Sequence, residues 1–175
     1  MPFYWILVLG AGFLILIFLV MGYIFSNTVL YSRRQPVVRT PQEYGMAYED
    51  VQFSSTDGLL LKGWYIPVSG VSERAIILTH PLPFNRHGFL AKFQGFPPLC
   101  RIDVDLLKTA QALHQAGHPI LMFDFRNHGE SEAGLTGVGL NEYQDLLGAI
   151  EYLNQRTDLV HPRIGLVSFC MGANA

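Results

Sequence analysis

Between Phe3 and Phe25 the chain reads "FYWILVLGAGFLILIFLVMGYIF", 23 residues without a charge. At 1.5 Å per residue a helix of that length spans roughly 34 Å, enough to cross a hydrocarbon core of about 30 Å. Tyr4, Trp5 and Tyr23 stand near its two ends, where amphipathic rings favour the membrane interface. A cleaved signal peptide needs a basic leader, a shorter apolar core and small residues at a cleavage site. Here no Lys or Arg precedes the run, and "YIFSNTVLY" carries no A-x-A pattern. The sequence therefore predicts one retained transmembrane helix over 1–26 that meets the membrane through residues 3–25.

The first charges beyond the run are Arg33, Arg34 and Arg39, so the positive-inside bias places the remaining chain, and with it any catalytic domain, in the cytoplasm. Residues 36–175 hold 10 Lys+Arg and 14 Asp+Glu, close to −4. With neither a basic stripe nor an aromatic ladder, nucleic acid is excluded as an expected partner. Two cysteines, Cys100 and Cys170, make no disulfide framework and suit a reducing compartment.

After a polar, Pro-containing linker (27–47) the chain changes character. "YEDVQFSS" and "LLLKGWYIP" flank "TDG" and read as a β-hairpin. "RAIILTH" (74–80), "HPILMFDF" and "RIGLVS" (163–168) are short uninterrupted apolar runs of the buried-strand kind. Between them lie two amphipathic helices, 103–117 and 141–155. The second has Asn141 as candidate N-cap, with Tyr143, Leu146, Leu147, Ile150 and Leu153 on one face. Buried strands alternating with helices predict an α/β domain: a mostly parallel sheet covered by helices on both faces.

The last strand runs into "SFCMGANA". A strand that ends in small-x-nucleophile-x-small and opens a helix forms a nucleophile elbow, because the strand and helix backbones nearly touch there. Ser168 and Gly172 fill the small positions around Cys170. Centring the motif on Ser168 would put Leu166 in one of them. A cysteine at a strand end is inert core more often than catalyst; in this register the helix N-terminus favours its thiolate, and the Met171 N–H faces a developing oxyanion.

From about Tyr48 onward the chain resembles the α/β-hydrolase family. The residues that carry the resemblance are "STDGLLLKGWYIP", "ILTHP" where the family has strand-His-Gly, "DFRNHGESE" where it has Asp-x-Arg-Gly-His-Gly-x-Ser, and the elbow itself. With the anchor, it looks most like single-pass membrane hydrolases related to acylaminoacyl peptidases and esterases. The resemblance implies that residues 48–175 are the N-terminal half of such a fold, truncated after the elbow, and that the catalytic histidine and acid follow the nucleophile beyond residue 175. The fragment by itself would then be inactive, and its sheet would end in an unpaired apolar edge.

Three positions depart from the family pattern. Cysteine replaces the usual elbow serine, as in dienelactone hydrolases and the Cys-box polyester synthases. Pro81 replaces the glycine after His80 and has no N–H, which leaves Leu82 as the second oxyanion donor. Asn127 replaces a loop glycine, a position that tolerates left-handed backbone.

The expected activity is attack by Cys170 on an ester, thioester or amide carbonyl of a small-molecule or acyl substrate. A Cys-dependent acyltransferase and a non-catalytic hydrolase-like membrane protein are the rival readings. No cofactor and no metal is expected: His87, His114, His118 and His161 lack partners at metal spacing and default to surface or capping roles. His80 and His128 are expected to brace loops, and Asp124 and Arg126 to pair with each other. Phe84, Phe89, Phe93 and Phe96, in the long segment 81–102, are expected to cover the sheet, or to line an acyl pocket or a membrane-facing lid.

Overall fold

The computed structural model describes residues 3–31, 34–90 and 103–175. The expectations placed on Arg33, Phe93, Phe96 and Cys100 lie outside the described residues.

The uncharged run is helical. Helix α1 (Phe3–Leu30) continues past Phe25 because "SNTVL" contains neither Pro nor Gly to stop it. Within it, Leu7–Thr28 has a mean hydropathy of 2.6, and none of the most apolar stretch is buried in the protein. That length and apolar character suit a membrane span, and a signal sequence shares them. The stretch after it is no free tether. Asn85 donates its side-chain N–H to the carbonyls of Gln35 and Pro36 at 3.1 Å each, and His87 Nε2–H donates to Pro36 O at 3.3 Å. A single 3-10 turn, Pro41–Tyr44, then packs against the domain, with Tyr44 Oη donating to Asp105 at 2.5 Å.

The hairpin forms as expected: β1 (Glu49–Ser54) pairs antiparallel with β2 (Leu60–Ile66) across the turn at Asp57–Gly58. Strand β3 (Ser72–Leu78) follows. Two-residue strands β4 (Gly88–Phe89) and β5 (Val104–Asp105) pair with each other. Helix α2 (Leu106–Gln115) starts where the Asp105 carboxylate accepts the N–H groups of Leu107 and Lys108. Next come β6 (Ile120–Phe123), helix α3 (Glu142–Asn154), β7 (Leu159–Val167) and a final turn of helix, α4 (Met171–Asn174).

The sheet order is β1-β2-β6-β3-β7; β6, β3 and β7 run parallel and the hairpin extends them antiparallel. Successive residues of β6 point to opposite faces. Leu121 and Phe123 join Val51, Tyr65, Ile77 and the α3 residues Leu146, Ala149 and Leu153. Ile120 and Met122 join Trp64, Leu78 and the α2 residues Leu106, Leu107 and Ala110. Helices therefore cover both faces, and each fully buried Leu, Ile or Phe contributes about 1.5–3 kcal/mol.

Two local expectations are corrected. Asn141 does not cap α3: its backbone is already helical and its amide donates to Leu135 O at 3.1 Å. The inner face of α3 is also rotated from the apolar stripe, so Tyr143 and Leu147 are exposed while Glu142 and Asp145 are fully buried. Those two carboxylates turn inward because each has hydrogen-bond donors waiting there. Strand β7, one of the apolar runs of the buried-strand kind, forms the sheet's edge among the described residues, the apolar edge expected above. It pairs only with β3, Leu166 is half exposed, and Pro162, which cannot donate to a ladder, sits where an edge tolerates it.

Candidate active site

Three chain segments meet at the ends of the parallel strands. The first is the corner after β7. Cys170 has φ 51° and ψ −114°, a conformation that costs a non-glycine residue about 1–3 kcal/mol and persists only where the surroundings enforce it. Its thiol is free and exposed. Met171, by contrast, is fully buried in the cluster around Phe123 and Phe125 and fixes the corner from below. As first residue of α4, Met171 has an N–H with no intrahelical acceptor. The corner closes on itself through Gly172 N–H to Phe169 O (3.0 Å) and Ala173 N–H to Cys170 O (2.9 Å).

Gly172 shows why the motif needs a small residue two places after the cysteine. A Cβ there would lie 2.2 Å from Thr79 Oγ1, 2.8 Å from Thr79 Cβ and 3.2 Å from His80 O. Gly172→Val is therefore expected to cost about 1–3 kcal/mol by overpacking and to slow thiol alkylation or acylation at Cys170 by about 10²-fold through misplacement. Ala173→Ser, on the exposed side of the same turn, should change neither; labelling rates and urea melts of the two variants check this. Thr79 Oγ1 and Ser168 Oγ, both sealed from solvent beside the corner, have no hydrogen-bond partner among the described residues.

The second segment follows β3. The N–H of Phe84 closes a turn onto Pro81 O at 2.9 Å, with Leu82 inside it and the Leu82 side chain against the same apolar cluster as Met171. His80 is fully buried. Phe125 N–H donates to its Nε2 at 3.1 Å, so the proton sits on Nδ1 and donates to Pro81 O at 3.0 Å. With both nitrogens held by backbone, His80 braces the two loops and is no base for the thiol. Phe84 and Phe89 stack at 4.7 Å between ring centroids, and Phe89 is buried.

The third segment follows β6 and carries two arginine clusters. Asp124 and Arg126 do not pair with each other, contrary to expectation. Asp124 binds the Arg86 guanidinium, and its carboxylate also accepts the Arg86 N–H (2.7 Å) and the Glu130 N–H (2.9 Å). Arg86 further reaches Glu130 at 2.5 Å and lies 4.3 Å over the Trp64 ring. Arg126 is taken by Asp145, with bonds of 2.7 to 3.2 Å, and by Asp57 at 2.7 and 2.9 Å. The partners come from distant elements, so spacing along the chain could not name them. Arg86, Asp57, Asp145 and Glu142 were all missed; the one signal was polar residues interrupting otherwise apolar patterns. Asn127 does adopt left-handed backbone, φ 62°. His128 Nδ1–H donates to Arg126 O at 2.9 Å, and its ring lies 5.1 Å from that of His80.

His87, expected in a surface or capping role, is buried because it ties down Pro36. Burial lowers the pKa of His80, His87 and His128 below the ordinary 6.5; for His80 the drop is large, and the neighbouring His128 adds to it. In the unfolded chain these rings take protons near pH 6.5, whereas the folded protein refuses them until lower pH. The unfolded state thus binds more protons in that window, and stability falls as pH drops below 6.5. Urea melts from about pH 7.5 to 5 should show this slope, flattened in His80→Gln.

No family model matches the chain. Over 149 residues it is 28% identical to the uncharacterized protein YfhR of Salmonella typhimurium, which covers 85% of this chain and 44% of that protein. Its counterpart in Escherichia coli is 28% identical over 125 residues, 71% of this chain and 38% of that one. Among solved structures, the esterase Pf2001 of Pyrococcus furiosus matches with a TM-score of 0.65 and 27% identity over 83% of this chain and 48% of its own. The α/β hydrolase GrgF from Penicillium matches with a TM-score of 0.57 and 21% identity over 73% and 39%. The chain spans less than half the length of these relatives. From the hairpin to the corner at Cys170, the fold is that of the α/β-hydrolases.

Proposed function

We propose that this chain is the N-terminal part of a membrane-anchored hydrolase in which Cys170 attacks an ester, thioester or amide carbonyl. The observation that carries the reading is the corner itself: an exposed thiol at positive φ, on a buried and packed turn, beside a helix-opening N–H. The esterase neighbours support a hydrolase. Helix α1 is the anchor, and Arg34 and Arg39 on its exit side favour a cytoplasmic domain.

In the proposed reaction the Cys170 thiolate adds to the carbonyl carbon and a C–S bond forms. The carbonyl oxygen takes the negative charge facing the Met171 N–H, with Leu82 N–H as second donor. Collapse expels the alcohol, thiol or amine and leaves a thioester, which water hydrolyses to acid and free thiol. The thiol proton goes to a histidine, held by an acid, from chain beyond residue 175, and that histidine returns it to the departing alcohol, thiol or amine; His80 is unsuited to the task. The test is mass spectrometry of the full-length protein treated with an activated acyl ester. A hydroxylamine-labile adduct on Cys170 is expected. Acylation elsewhere, or none in an enzyme that turns the ester over, rejects Cys170 as nucleophile.

A further inference from the structure

We propose that the loop between β6 and α3, at residues 135–140, is a second membrane contact that lies on the bilayer surface and seats the Cys170 corner beside the lipid. This rests on reading α1 as a retained span.

The exit of α1 is fastened to this loop. Leu30, two residues beyond the apolar span that ends at Thr28, accepts the Thr136 N–H at 3.3 Å and the Asn127 side-chain N–H at 3.5 Å. Carbonyls at a helix C-terminus lack intrahelical donors, and the domain supplies them here. Asn127 is held in turn by its own bond to Thr136 Oγ1, 3.3 Å away. If α1 crosses a bilayer, the backbone of residue 136 stands at the level where the span leaves the hydrocarbon.

From Ala133 to Leu140 the chain reads "AGLTGVGL", with no charge. Two of its amides are turned inward: the buried Glu142 carboxylate accepts the N–H groups of Gly137 (2.8 Å) and Gly139 (2.6 Å). Its large apolar side chains point outward, with Leu140 81% and Leu135 50% exposed. A loop that bonds these amides within the protein and presents leucines to the outside suits an interface of headgroups and acyl chains. Such side chains gain there the burial that they lack in water.

The same loop touches the candidate site. Asn174, in the turn that Cys170 opens, donates to Val138 O at 3.4 Å, and a Cβ on Gly139 would lie 2.6 Å from Asn174 Cβ. Phe169, immediately before the cysteine, is 41% exposed. The occupant is a lipid surface, continuous with the span that α1 already occupies.

The test is spin-label depth measurement on the full-length protein in phosphatidylcholine–phosphatidylglycerol vesicles. Labels are attached at Leu140→Cys, Val20→Cys in α1 and Glu151→Cys on the exposed side of α3, in a Cys100→Ser, Cys170→Ser background. The expected result is an oxygen-to-nickel collision ratio at 140 below that at 20, inside the span, and far above that at 151. A lipid-exposed label at 20 with a water-exposed label at 140 overturns the proposal and leaves the anchor standing. Water exposure at both positions overturns the anchor and the proposal together. A label at 140 shielded from oxygen and nickel alike shows that protein covers the loop, and overturns the proposal.

Discussion

Cys170→Ala is expected to lower ester turnover by the full-length protein by about 10³-fold or more, since loss of a nucleophile that acts as a unit with its base reaches about 10⁶-fold in well-studied hydrolases. The thiol is exposed and packs against little, so its removal should leave the urea midpoint almost unchanged. That separation of activity from stability is the point of the variant. Cys170→Ser keeps the corner but replaces a thiol with a hydroxyl whose proton is far harder to remove. It should retain a small fraction of turnover and form an ester adduct stable to conditions that cleave the thioester. Turnover in Cys170→Ala equal to that of the unaltered protein would mean that the corner is structure only.

Arg126→Met is expected to destabilise the fold by about 3–5 kcal/mol, the usual cost of breaking a buried ion pair, against a total stability of about 5–15 kcal/mol. Asp145 is fully buried in α3; its carboxylate accepts from the Arg126 guanidinium and, at 2.8 Å, from the Arg126 backbone N–H. Burial pushes the Asp145 carboxyl above the usual range even with Arg126 pulling it down. Without the guanidinium an uncompensated charge, or a protonated acid, remains inside. Asp57, about a third exposed, loses a partner at little cost because water replaces it. Arg126→Met combined with Asp145→Leu should lose much less than the sum of the single changes. The backbone N–H of Arg126 still loses its acceptor, so recovery stays incomplete. Urea denaturation of the four proteins gives the coupling. A single-variant loss within the scatter of surface substitutions would show that this pair does not hold the β6–α3 loop.

The placement of that loop explains why both predictions concern one site. Arg126 fixes the segment whose Phe125 N–H holds His80, and His80 in turn holds Pro81 beside the corner. The corner at Cys170 thus stands on buried charge pairs that contribute position, and the chemistry proposed there depends on it.

Local features of the chain determined a good deal by themselves. An uncharged run of this length allows little but a long apolar helix. The "TDG" turn between alternating stretches defines a hairpin, and uninterrupted apolar runs between amphipathic helices define a parallel sheet with both faces covered. The small residues around Cys170 determined the register of the corner, because steric exclusion between a strand end and a helix start acts within a few residues. Only the tertiary structure decided which carboxylate meets which arginine, that α3 turns Glu142 and Asp145 inward in place of Tyr143 and Leu147, and that His87 is buried on Pro36. Each of these depends on groups 19 to 69 positions apart in the chain or on donors supplied by another element. A helix's apolar stripe reports the average preference for burial, and two satisfied carboxylates outweigh it. Charge pairing has no periodicity, so it becomes readable only when the sheet has brought β6, α3 and the hairpin turn together.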